Sequence, residues 1–445
     1  MGDLLIADTQ EARVPLWRQI QLTAQVIQRV RRGASGTAAL DCIDQELRPG
    51  VQALAFAVWR NLGRAEAIRA AIVKRLPTPA VDSILCVALA LVWPGDVLSY
   101  DEFTLVNQAV EAAKRTPETR MQANFLNACL RRFIRERSQL VEQTNDNLVA
   151  RWNHPLWWVE RVKQDHPLHW EAILSSANGL PPMTLRVNQK RISSHDYADV
   201  MRAAGVPFSV GPGHEIYLDA AKPVRLIPGF QEGWVSVQDA AAQLAAPLLL
   251  DGFLPTTGLR VLDACAAPGG KTGHLLEFAE CQVTALEIDE IRAQRISENL
   301  VRLGLQGTIQ VADACRPQDW WDGQLFDAVL LDAPCTASGI VRRHPDIRWL
   351  RRESDIGQLA LLQQKLLQVL WPLIRPGGRL LYCTCSIFRE EGADQVETFL
   401  AHNTNALLLD SPGHLVNRTT RKSELVLNNQ ICDYDGFYYA LLQKK

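Results

Sequence analysis

From about Pro255 to the C-terminus, short apolar runs alternate with stretches of helical period, and no other feature of the chain constrains its fold so tightly. The runs Arg260 to Asp263, Gln282 to Leu286, Ile309 to Val311, Ala328 to Leu331 and Arg379 to Tyr382 read as strands. Thr272 to Ala279, Glu290 to Leu303, Ser354 to Ile374 and Glu391 to Ala401 read as the helices that separate or follow them. Strands alternating with helices need crossover connections, so the pattern predicts a parallel, doubly wound sheet. A last apolar run, Gly436 to Leu442, is expected as a further edge or antiparallel strand.

The chain upstream has a different texture. Residues 1–150 give the helical stretches Leu16 to Val30, Val51 to Leu62, Ala65 to Leu76, Ala80 to Trp93, Phe103 to Ala113 and Arg120 to Phe133, with no convincing strand. An all-α domain is expected there. Residues 151–250 turn tryptophan-rich and mixed, with His154-Pro155-Leu156-Trp157-Trp158, Leu185 to Asn188 and a helix-like Tyr197 to Ala204 ending at Gly205. They suggest a small α+β unit ahead of the α/β domain over residues 251–445. At 445 residues, a multidomain chain of this kind has ample core.

Charge and cysteine usage exclude several functions. A formal net charge of −2 argues against a generally cationic nucleic-acid coat, so any polyanion site must be a local patch. The first 150 residues carry 18 Lys plus Arg against 16 Asp plus Glu, with basic clusters at Arg29 to Arg32 and Arg131 to Arg135. Each cluster is either a solvated helix end or an RNA contact. Ten cysteines without a repeating spacing are too sparse for a disulfide scaffold, and with no CxxC pair a structural zinc is not expected. Met1 to Ile6 lack a basic segment followed by an apolar one, and Ile6 breaks the myristoylation pattern. The apolar stretch from Ile84 to Trp93 is too short to span a bilayer. A soluble cytosolic protein without a membrane, metal or protein partner is expected.

Ligands bind an open α/β sheet outside the carboxyl ends of its strands. Three strand ends here carry chemistry: Asp263-Ala264-Cys265-Ala266-Ala267-Pro268-Gly269-Gly270-Lys271-Thr272, Asp332-Ala333-Pro334-Cys335, and Thr384-Cys385-Ser386. The thiols of Cys335 and Cys385, delivered to such a crevice, are candidates for covalent chemistry. The glycine turn is not a P-loop, because the first required glycine falls on Cys265, and it lacks the G-x-G-x-x-G of a dinucleotide site. What remains is a nucleoside cofactor lying across the strand ends. Glu287, closing the strand Gln282 to Leu286, would take its ribose hydroxyls, and Asp313 closes the next strand. Either acid alone is more often a helix cap or turn residue; the three ends together favour a ligand.

Those three phrases closely resemble the motifs of the S-adenosylmethionine-dependent RNA cytosine-C5 methyltransferases, with Gly233 to Asp239 and Asp435-Gly436-Phe437 as supporting matches. The helical third, with Asn124 to Arg132, is similar to a NusB-type RNA-binding domain, a combination that resembles the bacterial 16S rRNA branch of that family. The resemblance implies an all-α NusB-like domain, a small α+β segment and an α/β Rossmann-like catalytic domain. It implies S-adenosylmethionine as cofactor, RNA (16S rRNA above all) as partner, and methylation of one cytosine, number 967 in conventional rRNA numbering. It assigns Cys385 the attack on carbon 6 of the base and Cys335 proton removal and release, with Asp332 holding the base edge or the cofactor's methionyl end and Lys271 favouring the activated ring. Cofactor contacts carried over are Cys265, Ala266, Ala267, Pro268, Gly269, Gly270, Lys271, Glu287, Asp313 and Asp332; the family often has Asp where Glu287 stands. Cys265 is expected as a turn residue, and Cys383 as a buried cysteine on the opposite face of the strand from Cys385.

A cytosine must leave its stack to react, so the site needs a basic rim. Arg342, Arg343, Arg348, Arg351 and Arg352, interleaved with Trp349, are the expected rim; the plainer reading of that run is a solvated helix start. The rival functions are a tRNA enzyme with the same site and a non-catalytic RNA-binding or transcription factor. A DNA cytosine methyltransferase would use the thiol after the proline and leave Cys385 unexplained.

Overall fold

A computed structural model of the chain describes residues 14–93, 100–253, 257–416, 426–427, 430–431 and 433–445. Met1 to Ile6, read above for targeting signals, lie outside the described residues. The chain forms two compact units, residues 1–159 with 344–350, and residues 160–343 with 351–445. The middle and catalytic segments, expected as separate domains, share the second unit.

The first unit is helical: α1 (Leu16–Arg31), α2 (Gly36–Asp41), α3 (Arg48–Ile72), α4 (Pro79–Leu91), α5 (Glu102–Arg115), α6 (Ala123–Gln143) and α7 (Leu148–Trp152). Every residue of α4 from Val81 to Leu91 is buried, as a helix apolar on all sides must be. The apolar stripes of α1 (Ile20, Val26, Ile27) and α5 (Leu105, Ala109, Ala112) join the same core. Two helices were expected over Val51 to Leu76, but α3 runs through as one. Gly63 is built into it: its amide donates to Asn153 Oδ1 at 2.7 Å, and a Cβ there would lie 2.5 Å from the Val149 carbonyl oxygen. The segment 344–350, with the short helix α14 (Ile347–Leu350), belongs to this unit although its neighbours in sequence do not. There Asp346 Oδ2 accepts from the Gly36 amide at 2.8 Å, and Arg348 is fully buried. Among the described residues no helix is long and apolar enough to cross a membrane.

The second unit begins within α8 (Leu156–Asp165), at residue 160, and continues with α9 (Trp170–Ser176) and a small sheet of β1 (Met183–Val187), β2 (Phe208–Val210), β3 (Ile216–Leu218) and β4 (Val235–Val237). The order is β2-β3-β1-β4, all antiparallel, with α10 (Ser194–Ala203) contributing Tyr197 and Met201 to its core. The main sheet follows: α11 (Ala245–Leu250), β5 (Thr257–Asp263), α12 (Gly270–Phe278), β6 (Glu280–Glu287), α13 (Glu290–Leu303), β7 (Thr308–Val311), β8 (Phe326–Asp332), α15 (Ser354–Leu370) and β9 (Ile374–Thr384). Then come α16 (Ala393–His402), β10 (Ala406–Leu408), β11 (Gly413–Leu415), the short pair β12 (Val426–Leu427) and β13 (Gln430–Ile431), and β14 (Phe437–Lys444).

The main sheet runs β10-β14-β9-β8-β5-β6-β7, with β11 also on β14. Strands β5 to β9 are parallel, as the alternation predicts, and β14 is antiparallel to β9. Side chains alternate between two cores: Val261, Leu330, Leu381 and Tyr439 on one face, Leu262, Val329, Leu380 and Tyr438 on the other. From β5 the chain builds outward to β6 and β7, then returns to lay β8 and β9 on the other side. That reversal opens a crevice at the carboxyl ends of β5 and β8.

Candidate active site

Strands β8 and β9 pair with Asp332 opposite Cys383, so the turns that leave them start side by side. Cys335 Sγ and Cys385 Sγ are consequently 3.4 Å apart. Backbone bonds hold both turns: Ala333 donates to the Cys383 carbonyl and Gly339 to the Cys385 carbonyl, each at 2.9 Å. Arg351 adds Nε to the Thr336 carbonyl at 3.1 Å and Nη2 to the Cys335 carbonyl at 3.3 Å. The Cys335 thiol is pushed well above its ordinary range, first by its hydrogen bond with Cys385 and then by burial. Within the pair Cys335 is therefore the sulfur that keeps its proton.

Lys271, in the first turn of α12, places Nζ 2.6 Å from Asp332 Oδ2 and 5.3 Å from the centre of the Phe437 ring. Burial by itself lowers the affinity of this ammonium for its proton; the Asp332 charge and then Cys383 outweigh it, and the net shift is upward. A fixed cation thus stands beside the thiols. The expectation for Cys383 needs correction. Its Sγ donates to Asp332 Oδ1 at 3.5 Å and it packs in the same core as Cys385, because residues two apart on a strand share a face. Tyr382 is the residue that turns to the other core. Cys383 is buried as expected, and burial first, then Asp332, push its thiol well up.

On the other side of the crevice, the turn after β5 is tied to both neighbouring strands: Ala264 donates to the Leu330 carbonyl and Ala266 to the Leu286 carbonyl, each at 2.9 Å. Gly269 starts α12 from φ 92°, and a Cβ on it would stand 3.0 Å from Ile296 Cα. Gly269→Ala is expected to cost about 1–2 kcal/mol, the penalty for a side chain in the left-handed region. A denaturant midpoint equal to that of the parent would contradict this. Burial pushes Asp263 up to about 7 although Thr272 Oγ1 donates to its Oδ2 at 2.7 Å. Its Oδ1 is buried without a hydrogen-bond partner among the described residues.

Glu287, at the end of β6, is 4% exposed. Its Oε1 accepts from the Asp289 amide at 3.1 Å and from Arg292 Nη1 at 3.3 Å, while Oε2 carries no hydrogen bond among the described residues. An acceptor oxygen left open beside a glycine turn suits a nucleoside diol, so the residues present fit the cofactor expected for them. Asp313 follows the neighbouring β7, with Oδ1 accepting from the Cys315 amide at 2.8 Å. Burial before any other cause lifts the Cys265 thiol well up, which suits a turn residue and not a nucleophile. Two contributors were not foreseen. Arg292 links Glu287 to the turn by donating to the Ala267 carbonyl at 3.1 Å. Glu391, buried behind both cysteine turns, accepts from Thr336 and Ser386; in sequence it follows Arg389 and Glu390 and reads as part of a solvated charge run.

The expected RNA rim is corrected at four of its six residues. Arg342 donates to Asp433 Oδ1 at 2.6 Å and to Asp435 Oδ1 at 2.5 Å. Arg343 pairs with Asp435 and, at 2.7 Å, with Asp239 Oδ2. In the first unit, Arg348 Nη1 donates to the Asn153 carbonyl at 3.2 Å and Trp349 Nε1 to the Trp59 carbonyl at 2.8 Å. These groups serve the fold, with partners far away in sequence. Arg351 is half-buried over the Cys335 turn, and Arg352 is exposed.

Comparison with known proteins gives the same outline. A family model described as 16S rRNA methyltransferase RsmB/F matches residues 253–443, and one described as an RsmF/B-like ferredoxin-like domain matches residues 154–225. The chain is 38% identical over 421 residues to ribosomal RNA small subunit methyltransferase B of Vibrio cholerae, covering 93% of this chain and 94% of the relative. With the protein of the same name from Vibrio vulnificus the identity is 37% over 428 residues, covering 94% and 96%. Among solved structures, PH0851 superposes with a TM-score of 0.74 at 25% identity over 96% of this chain and 99% of its own. A methyltransferase homologue from Pyrococcus horikoshii gives 0.55 at 25% identity over 67% and 97%.

Proposed function

The chain belongs to the RsmB/F family of 16S rRNA methyltransferases, an S-adenosylmethionine-dependent rRNA methyltransferase, and on that premise we propose that it methylates carbon 5 of a cytosine through a covalent bond from Cys385 to carbon 6. The observation that carries this reading is the 3.4 Å separation of the Cys385 and Cys335 sulfurs at adjoining strand ends, beside the Lys271–Asp332 pair. Carbon 5 of cytosine is too weak a nucleophile until an addition at carbon 6 pushes electrons towards it, and a thiolate is both a strong nucleophile and a good leaving group. S-adenosylmethionine, when bound, supplies the methyl group.

Cys385, its proton released to solvent, forms the bond to carbon 6, and the ring double-bond pair moves to carbon 5. With Cys385 committed to carbon 6, the Cys335 thiol gives its proton to solvent and becomes the base. Cys335 takes the carbon 5 proton once the methyl group is in place. The electron pair left behind restores the ring double bond as the Cys385–carbon bond breaks. Asp332 holds the base edge or the methionyl end of the cofactor, and Lys271 offsets the negative charge of the activated ring. The cofactor's holders are the turn from Cys265 to Lys271 with Glu287, Asp313 and Asp332. Glu287→Ala is expected to weaken S-adenosylmethionine by about 1–3 kcal/mol, the worth of hydrogen bonds to a charged acceptor. Calorimetry returning the parent affinity would remove it from the site.

The first unit we read as a NusB-like RNA-binding domain, on the strength of its helical build and the resemblance of Asn124 to Arg132. The reading as a whole is tested by methyl transfer from labelled S-adenosylmethionine to unmodified 16S rRNA and to tRNA, with the product nucleoside identified by mass spectrometry and mapped. 5-Methylcytidine in 16S rRNA, at cytosine 967, is expected. The same nucleoside in tRNA alone would overturn the substrate, and methylation of another atom would overturn the chemistry.

A further inference from the structure

We infer that Glu391 is the positioning residue that fixes the separation of the two reacting sulfurs. Its carboxylate is fully buried, and its donors among the described residues are all neutral. Oε1 accepts from the Thr336 amide at 2.8 Å and from Gln363 Nε2 at 3.3 Å. Oε2 accepts from Thr336 Oγ1 at 2.5 Å and from Ser386 Oγ at 2.6 Å. Thr336 directly follows Cys335 and Ser386 directly follows Cys385, so one side chain ties together the residues next to each sulfur.

The tie is reinforced from behind. Gln363 also donates to the Pro334 carbonyl at 2.9 Å, the residue on the other side of Cys335. Ser386 Oγ lies 2.9 Å from Ser338 Oγ, which in turn accepts from the Ile387 amide at 2.9 Å. The Glu391 carbonyl receives Tyr382 Oη at 2.8 Å and Thr384 Oγ1 at 3.2 Å, from the strand that delivers Cys385. A buried carboxylate without these donors would carry a heavy desolvation penalty, so the anion and the two turns hold each other in place. Among the described residues, the backbone hydrogen bonds that join the two turns next to the sulfurs are those to the Cys383 and Cys385 carbonyls. Without the carboxylate, the side-chain link between Thr336 and Ser386 is the 3.5 Å contact of their own hydroxyls, too long to set the sulfur spacing.

The test reads that spacing directly. Phenylarsine oxide condenses with two thiols, forming two As–S bonds and releasing one water, only when both sulfurs can reach one arsenic. The parent protein is expected to retain one equivalent, and Cys335→Ser to retain none, which assigns the captured pair. Glu391→Ala is expected to lose capture and to lose about 100-fold in kcat, the cost of a misplacement near 1 Å, with the KM for S-adenosylmethionine unchanged. In Glu391→Gln the amide oxygen keeps the Thr336 and Gln363 amides and its NH2 can donate to the two hydroxyls, so capture and most of kcat are expected to return. Glu391→Asp, charged but one methylene short, must fail as alanine does and replaces it if alanine does not fold. Parent-like capture and kcat in both the Ala and Asp variants would overturn the inference. So would a loss of cofactor affinity equal to the loss of kcat, the mark of a merely structural residue. The inference rests on Cys385 and Cys335 being the reacting pair; a fully active Cys385→Ala would defeat that assignment, whereas arsenical capture reports the tie whatever the reaction.

Discussion

Cys385→Ala is expected to abolish methyl transfer, by about 10⁴-fold or more as for other removed nucleophiles, while the affinity for S-adenosylmethionine stays that of the parent. The two halves of this outcome come from different strand ends. Cofactor binding is assigned to the turn after β5 and to Glu287 at the end of β6, neither of which hydrogen-bonds Cys385. The attack on carbon 6 is assigned to Cys385 alone: Cys335 serves proton removal, and Cys383 is fully buried with its sulfur on Asp332. Filter-bound counts from labelled S-adenosylmethionine, beside calorimetry of cofactor binding, decide it. Transfer at a comparable rate would hand the nucleophile's role to another group.

Cys335→Ala is expected to accumulate a covalent protein–RNA adduct instead of simply losing activity. With Cys385 intact the attack proceeds, but the carbon 5 proton has no base, so the ring cannot re-form its double bond and expel the thiolate. The adduct should appear as a slow band on a denaturing, reducing gel and vanish in the Cys335→Ala/Cys385→Ala double variant. Absence of the band in the single variant, with RNA and cofactor present, would count against the release role. The same band in Cys385→Ala would exchange the two assignments.

Much of this was legible in the sequence because strand ends of an open sheet announce themselves. Asp332, Cys335, Cys385 and Glu287 lie at the ends of β8, β9 and β6, where the alternation places them. What failed did so for physical reasons. The arginines at 342 and 343 looked like a free basic rim because their acids, Asp433, Asp435 and Asp239, come from positions far off in the chain, with separations of 91, 92 and 104 residues. The small sheet was only partly seen, since β2, β3 and β4 are three residues each, too short for a period to show. Helix α3 was split in expectation at Gly63, where the missing Cβ is a packing requirement and not a break. Glu391 was invisible as a site residue because burial, not composition, gives it its role.

The return of residues 344–350 to the helical unit has a consequence for modularity. A helical cassette that simply preceded the catalytic body could be cut off, swapped or inherited on its own. Here one of its parts is encoded inside the catalytic body, nine residues past Cys335 in the chain. Deleting residues 1–159 would strip Asp346 and Arg348 of Gly36 and Asn153 and leave Trp349 without Trp59. The two units therefore cannot be exchanged between relatives by a single crossover; a viable chimera must carry the inner seven-residue piece with the helices it belongs to.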